Sequence, residues 1–251
     1  MKKSLLTLSV ALTATALPTL ALADDGLAFN VGAVSDYRYR GISQSRLKPA
    51  VQGGVDFTKG GLYLGTWAST IKWIEDAGTL SGVDAGNANV EIDIYGGVKG
   101  EISKGLVYDI GGLYYWYPGN KYSRVPGGAS ADTFEIYGAL SYGVFTAKYS
   151  HSLTHAFGTN NSRGSGYLDL SATFDIGNGM TLIPHFGRQE IRHYGHLAYN
   201  DYALTLAKDL GNGVSLSAAM VGTNADKSAF VTPSGKFTGK NALVVGAKYS
   251  F

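Results

Sequence analysis

Residues 167–176 read YLDLSATFDI. Leu168, Leu170, Ala172, Phe174 and Ile176 share one parity, while Tyr167, Asp169, Ser171, Thr173 and Asp175 share the other. Successive side chains of a strand point to opposite faces, so this segment predicts a strand with one apolar and one polar side. VEIDIYGGVK (90–99) repeats the pattern, with Glu91, Asp93, Tyr95, Gly97 and Lys99 opposite Val90, Ile92, Ile94, Gly96 and Val98. It returns in TFEIYGALSY (133–142), DYALTLAK (201–208) and the terminal LVVGAKYSF (243–251).

Extended along the chain, the alternation predicts twelve strands, at 27–38, 49–58, 62–71, 89–99, 106–117, 132–142, 144–154, 166–176, 180–190, 198–208, 214–223 and 240–251. Most have about ten residues, the length a tilted strand needs to cross a bilayer. Tight connections lie at Lys59-Gly60-Gly61, Ser103-Lys104-Gly105, Tyr142-Gly143, Gly177-Asn178-Gly179 and Gly211-Asn212-Gly213. Gly and Asn accept the positive φ of short hairpin turns. Long connections (39–48, 72–88, 118–131, 155–165, 191–197, 224–239) alternate strictly with the short ones. An even number of strands with long and short connections at opposite ends is the pattern of an all-β, antiparallel, up-and-down transmembrane barrel. Closure has a physical cause, because hydrocarbon offers no hydrogen-bond partner to an open sheet edge.

The ends agree with export. Met1-Lys2-Lys3, a mostly apolar stretch from Leu5 to Leu22 and Ala21-Leu22-Ala23 predict a signal peptide over 1–23, leaving 24–251 as the barrel domain. Lys2 and Lys3 leave with it, so the 21 basic residues fall to the 19 of the acidic side, a balance that speaks against nucleic-acid partners. The chain has no cysteine, hence no disulfide and no thiolate metal site, and no cofactor motif is present. Leu243, Val245, Ala247, Tyr249 and Phe251 share a face. This resembles the C-terminal signal of bacterial outer-membrane barrels, which implies the barrel assembly machinery as a partner.

Parity assigns side chains to the two faces. On the first strand Leu27, Phe29, Val31 and Ala33 face lipid, and the same parity runs on through Ser35, Tyr37 and Tyr39. Tyr37, Tyr39, Tyr249 and Phe251 are thus expected in the aromatic girdles. The opposite parity carries Asp36, Arg38 and Arg40, and elsewhere Asp56, Glu91, Asp93, Lys99, Asp109, Glu135, Lys148, Asp169, Asp175, Asp201 and Lys248. These are the expected pore-lining residues, since Arg or Lys facing lipid at the midplane costs about 2–4 kcal/mol. Trp67 and Arg188 fit neither face cleanly. Acidic residues outnumber basic ones along the wall, while Arg38, Arg40 and Lys48 would form a basic rim at the outer mouth.

SDYRYRGISQS (35–45), followed by PAVQGGVDF (49–57) and GLYLGTWAS (61–69), resembles the N-terminal signature of the TorF-type porin family of proteobacteria. The resemblance implies an outer-membrane barrel with a pore and names no substrate. The expected function is passive diffusion of small hydrophilic solutes, gated in part by inward-folding outer loops. Outer-membrane lipid surrounds such a barrel, and homo-oligomerisation is left open. A closed structural or receptor barrel acting through its outer loops is the alternative. An esterase is disfavoured: His151, Ser152, His155 and Asn160 cluster in sequence, but adjacent strand residues such as His151 and Ser152 point to opposite faces. His185, His193 and His196 lack the spacing of a structural zinc motif.

Overall fold

A computed structural model describes residues 25–251; the expected signal peptide lies outside them. The barrel strands are β1 (Gly26–Val34), β2 (Ala50–Lys59), β3 (Leu62–Thr70), β4 (Val90–Ser103), β5 (Leu106–Trp116), β6 (Thr133–Tyr142) and β7 (Phe145–Ser152). They continue with β8 (Gly166–Ala172 and, past a break at Thr173, Phe174–Gly177), β9 (Met180–Glu190), β10 (Tyr199–Gly211), β11 (Val214–Thr223) and β12 (Ala242–Ser250). Thirteen ladder segments form one sheet, and two of them are successive parts of β8, so the barrel has twelve strands. Every pairing is antiparallel, and β1 meets β12 to close the ring. Phe251 completes the seam: Phe29 N–H donates to its carbonyl at 2.8 Å and its own N–H donates to Phe29 O at 3.0 Å.

The two faces sort as the alternation requires. Leu27, Phe29, Ile94, Ile110, Ile136, Leu168, Leu204 and Met220 are exposed on the outside, an apolar surface that a water-soluble fold would cover. Tyr249 and Phe251 are exposed there too, with Phe251 stacked between Tyr249 and Phe29. Arg188 faces outward as well, beside Glu190 and Asn200, whereas Trp67 turns inward. In the tight turns Asn178, Gly179, Asn212 and Gly213 all have positive φ.

Inside, tyrosines lie against glycines of the neighbouring strand. A Cβ on Gly65 would stand 2.5 Å from the Tyr95 ring, and one on Gly97 would stand 2.5 Å from Tyr63 Oη. These glycines let bulky rings fold flat in a narrow barrel.

The first strand ends four residues before its predicted limit. Ser35 still pairs with Val245, donating its N–H at 2.8 Å and accepting the Val245 N–H on Oγ at 3.0 Å. The chain then turns into the lumen, where Arg38–Tyr39 and Ile42–Ser43 form a small hairpin. Tyr37 and Tyr39 are therefore not in a lipid-facing girdle: they are 1% and 8% exposed. Pulling two ring hydroxyls onto interior acceptors overrides the parity that the sequence carries past Val34.

The connection after β3, expected as a long loop over 72–88, contains helix α1 (Trp73–Ser81). Its first N–H groups lack intrahelical partners. Lys72 and Trp73 instead donate to Gln44 O at 2.7 and 3.2 Å, so the inward-folded segment itself starts the helix. Gly82, in the left-handed region at φ +67°, ends it.

Candidate functional site: a plugged lumen

Residues 35–48 form a plug at the long-loop end of the barrel. Three arginines fasten it to three different parts of the molecule. Arg38 Nε lies 2.6 Å from Asp36 Oδ2, and its Nη1 donates to Gly41 O, Thr238 O and Lys240 O, tying the plug to the connection between β11 and β12. Arg40 reaches the wall, donating through Nη2 to Glu135 Oε2 and through Nη1 to Gln189 Oε1, each at 2.7 Å. Arg46 pairs with Glu75 and Asp76 of α1. The Lys72 ammonium, hydrogen-bonded to Glu75, holds that carboxyl below its ordinary pKa, with Arg46 adding to the effect.

The plug also packs. Tyr37 lies edge-on to Trp67 and donates its hydroxyl to Glu91 at 2.5 Å. Tyr39 packs edge-on against Tyr115 and Phe157, and its hydroxyl donates to Tyr115 at 2.8 Å. With Ile71 and Ile74 from the α1 segment these rings form a buried cluster, and Tyr37, Arg38 and Tyr115 are among the most buried side chains. Arg40, at φ +46°, has its guanidinium carbon 4.2 Å from the centre of the Tyr167 ring and 4.8 Å from that of Tyr39.

The structure turns most of the charged residues expected inside toward the interior, on two levels. Glu91, Asp93, Glu135, Asp169 and Asp201 form a buried carboxylate belt around the plug. His185 stands between two of its members, 3.4 Å from Asp169 Oδ2 and 3.6 Å from Asp201 Oδ1. Nearer the short turns lie Asp56, Lys99, Asp109, Lys148 and Lys248, among inward tyrosines: Tyr95 donates to Asp56 at 2.5 Å and Tyr63 to Asp109 at 2.6 Å. Lys148 Nζ sits 3.9 Å above the Tyr137 ring.

Asp175 keeps the inward parity through its register partner Thr181, at the exposed end of β8 where it accepts the Gly177 N–H at 2.8 Å. Two expectations need correction. Arg38 and Arg40 do not form a basic rim, since both are buried and paired with carboxylates; Lys48 alone of that trio is exposed. Asp36, Arg38 and Arg40 are interior, but on the plug and not on a strand. Gln189 and Tyr167, which hold Arg40, were missed as a pair; register makes them direct partners across β8 and β9. The signal available was their shared parity with Asp169 and Gly187.

The polar groups near the β7 end do not assemble for catalysis. Ser152 Oγ donates to Thr154 O at 3.2 Å, and His151 belongs to the opposite face. His193 and His196 are exposed on the connection after β9, away from the inward His185 of that strand. Among the described residues no three His, Asp or Glu side chains are arranged to hold a metal ion.

A family model covers residues 21–251, nearly the whole chain, under the description "Bacterial protein of unknown function (Gcw_chp)". The chain belongs to the Gcw_chp family. No curated protein matches it in sequence. Among solved structures this Gcw_chp protein is similar to the KdgM porin, with a TM-score of 0.56 and 6% identity over 89% of this chain and 99% of that one. A second KdgM structure, in complex with disordered oligogalacturonate, gives 0.54 at 7% identity over 90% and 98%. The NanC porin gives 0.51 at 11% identity over 89% and 99%. At such identities the likeness is one of fold.

Proposed function

We propose that this Gcw_chp protein is a gated outer-membrane channel for small hydrophilic solutes, closed in this structure by residues 35–48. One observation carries the reading: a polar-walled, twelve-stranded barrel holds a segment of its own chain in the lumen by ion pairs at Arg38, Arg40 and Arg46. Ion pairs re-form after they break, and the belt beneath the plug would meet water when it moves. The exposed apolar outer surface, the expected signal peptide and the terminal aromatic fit an exported barrel, and the resemblance of 35–69 to TorF-type porins fits a pore. Solutes would then move down their gradient with no reaction. The oligogalacturonate held by one KdgM structure is a polyanion; the carboxylate belt here argues for solutes without that charge.

The aromatic packing of Tyr37, Tyr39, Trp67, Tyr115 and Phe157 favours a second reading, a permanently closed barrel acting through its outer loops. Swelling of liposomes in isotonic sugars separates the two. Val34 and Ala50 are register partners, so a short Gly-Ser turn can replace residues 36–48 without breaking the hairpin. Swelling with the shortened, folded barrel supports the channel; absence of swelling with every sugar tried would overturn it.

A further inference from the structure

The plug ends in a cation that occupies a site built by the wall. Glu135 and Gln189 each accept one guanidinium hydrogen bond from Arg40, and the Tyr167 ring forms the floor beneath it. All three belong to strands, so this arrangement stays in place when the plug leaves. A carboxylate, an amide oxygen and an aromatic face together are what an organic cation needs: charge, direction and a π surface. A second observation points the same way. Oδ1 of Asp93 is buried with no hydrogen-bond partner, on a residue 4% exposed, and the oxygens of the 1% exposed Asp169 accept no hydrogen bond, with only His185 at 3.4 Å from Oδ2 and Lys148 opposite in register. Asp169 is one inward position from Tyr167 on β8. A buried carboxyl oxygen without a hydrogen-bond donor is costly, so the belt keeps acceptors that Arg40 does not fill.

We infer that Glu135, Gln189 and Tyr167 form a binding site for solutes bearing a guanidinium or alkylammonium group, and that Arg40 is its built-in occupant in the closed state. The inference rests on the channel reading only in that a solute must reach the site past a displaced plug. The solute replaces Arg40 on Glu135, and the unfilled acceptors of Asp93 and Asp169 lie next along the wall.

The test uses butylguanidinium and its uncharged counterpart butylurea on refolded Arg40→Gly in detergent, by titration calorimetry. Glycine adopts the positive φ of position 40 without strain. Saturable binding of butylguanidinium, none of butylurea, and affinity at least about tenfold weaker on adding Glu135→Gln is the expected result, the loss of one charge-assisted hydrogen bond. Equal binding of the two probes, indifference to Glu135→Gln, or no binding by either a folded Arg40→Gly or the folded barrel lacking residues 36–48 would overturn the site. Should Arg40→Gly not fold, the barrel lacking residues 36–48 carries the same wall groups and takes the same titration. Conductance is recorded separately: a conducting barrel that binds neither probe removes the site and keeps the channel. A silent barrel that binds butylguanidinium does the reverse.

Discussion

Arg40 Nη2 lies 2.7 Å from Glu135 Oε2, an ion pair in which the side chains are 3% and 4% exposed. It joins a loop to the opposite wall of the barrel across 95 residues of sequence. Removing one partner of a buried pair leaves the other charge unanswered, a cost of about 3–5 kcal/mol. Glu135→Gln is accordingly expected to release the plug while the strands hold. Hydrogen exchange measured by mass spectrometry should speed up over residues 35–48 with little change in β2 to β7. Uniform acceleration throughout the barrel would instead mark Glu135 as a support of the wall.

The tyrosine–glycine contacts make a second prediction. Gly97→Val places a side chain against Tyr63 Oη and the Ile110 carbonyl, whereas Gly138 faces outward with nothing within 4 Å of its would-be Cβ. Overpacking of this kind costs about 1–3 kcal/mol, while an unobstructed surface change stays within about 0.5 kcal/mol. Urea unfolding followed by the heat-modifiable gel shift should lower the midpoint for Gly97→Val and leave Gly138→Val close to the parent. Equal midpoints would show that the rings do not pack closely on these glycines.

Deleting Phe251 removes two backbone hydrogen bonds to Phe29 and the stacked ring between Phe29 and Tyr249. The seam between β1 and β12 closes last in any order of folding that runs along the chain. Slower refolding into lipid vesicles is expected, along with less folded protein in the outer membrane of cells. Normal refolding in vesicles with poor assembly in cells would place the role of Phe251 in recognition by the assembly machinery.

Acid should loosen the plug from α1. The Glu75 pKa is held below 4.5 by Lys72 and Arg46, so its contribution is present above that value and is lost as pH falls through the lowered folded-state value. Opening frequency in a bilayer should stay flat from neutral pH down to about 5 and rise below the ordinary glutamate value. Glu75→Gln should flatten that rise. A rise already complete above pH 5 would contradict the clamp on α1 as its cause.

The barrel was legible in the sequence because a strand between lipid and a polar interior must alternate, and nothing else in the chain competes with that demand. Asp93, Glu135 and Asp169 were placed inside on parity alone, and register agrees. The plug was not legible, for a physical reason: SDYRYRGISQS alternates like a strand and carries tyrosines where a girdle would have them. What turns it inward are contacts distant in sequence, from Tyr37 to Glu91, Arg40 to Glu135 and Arg38 to Thr238. Local pattern cannot carry such information.

Residues 35–48 are expected to close a conducting barrel. Single-channel recording in a planar bilayer, comparing the parent with the form in which a Gly-Ser turn replaces 36–48, addresses it directly. The parent should be silent or open in rare, brief steps, and the shortened barrel should show steady, discrete conductance. A shortened barrel that inserts, keeps its heat-modifiable fold and passes no current would contradict the claim.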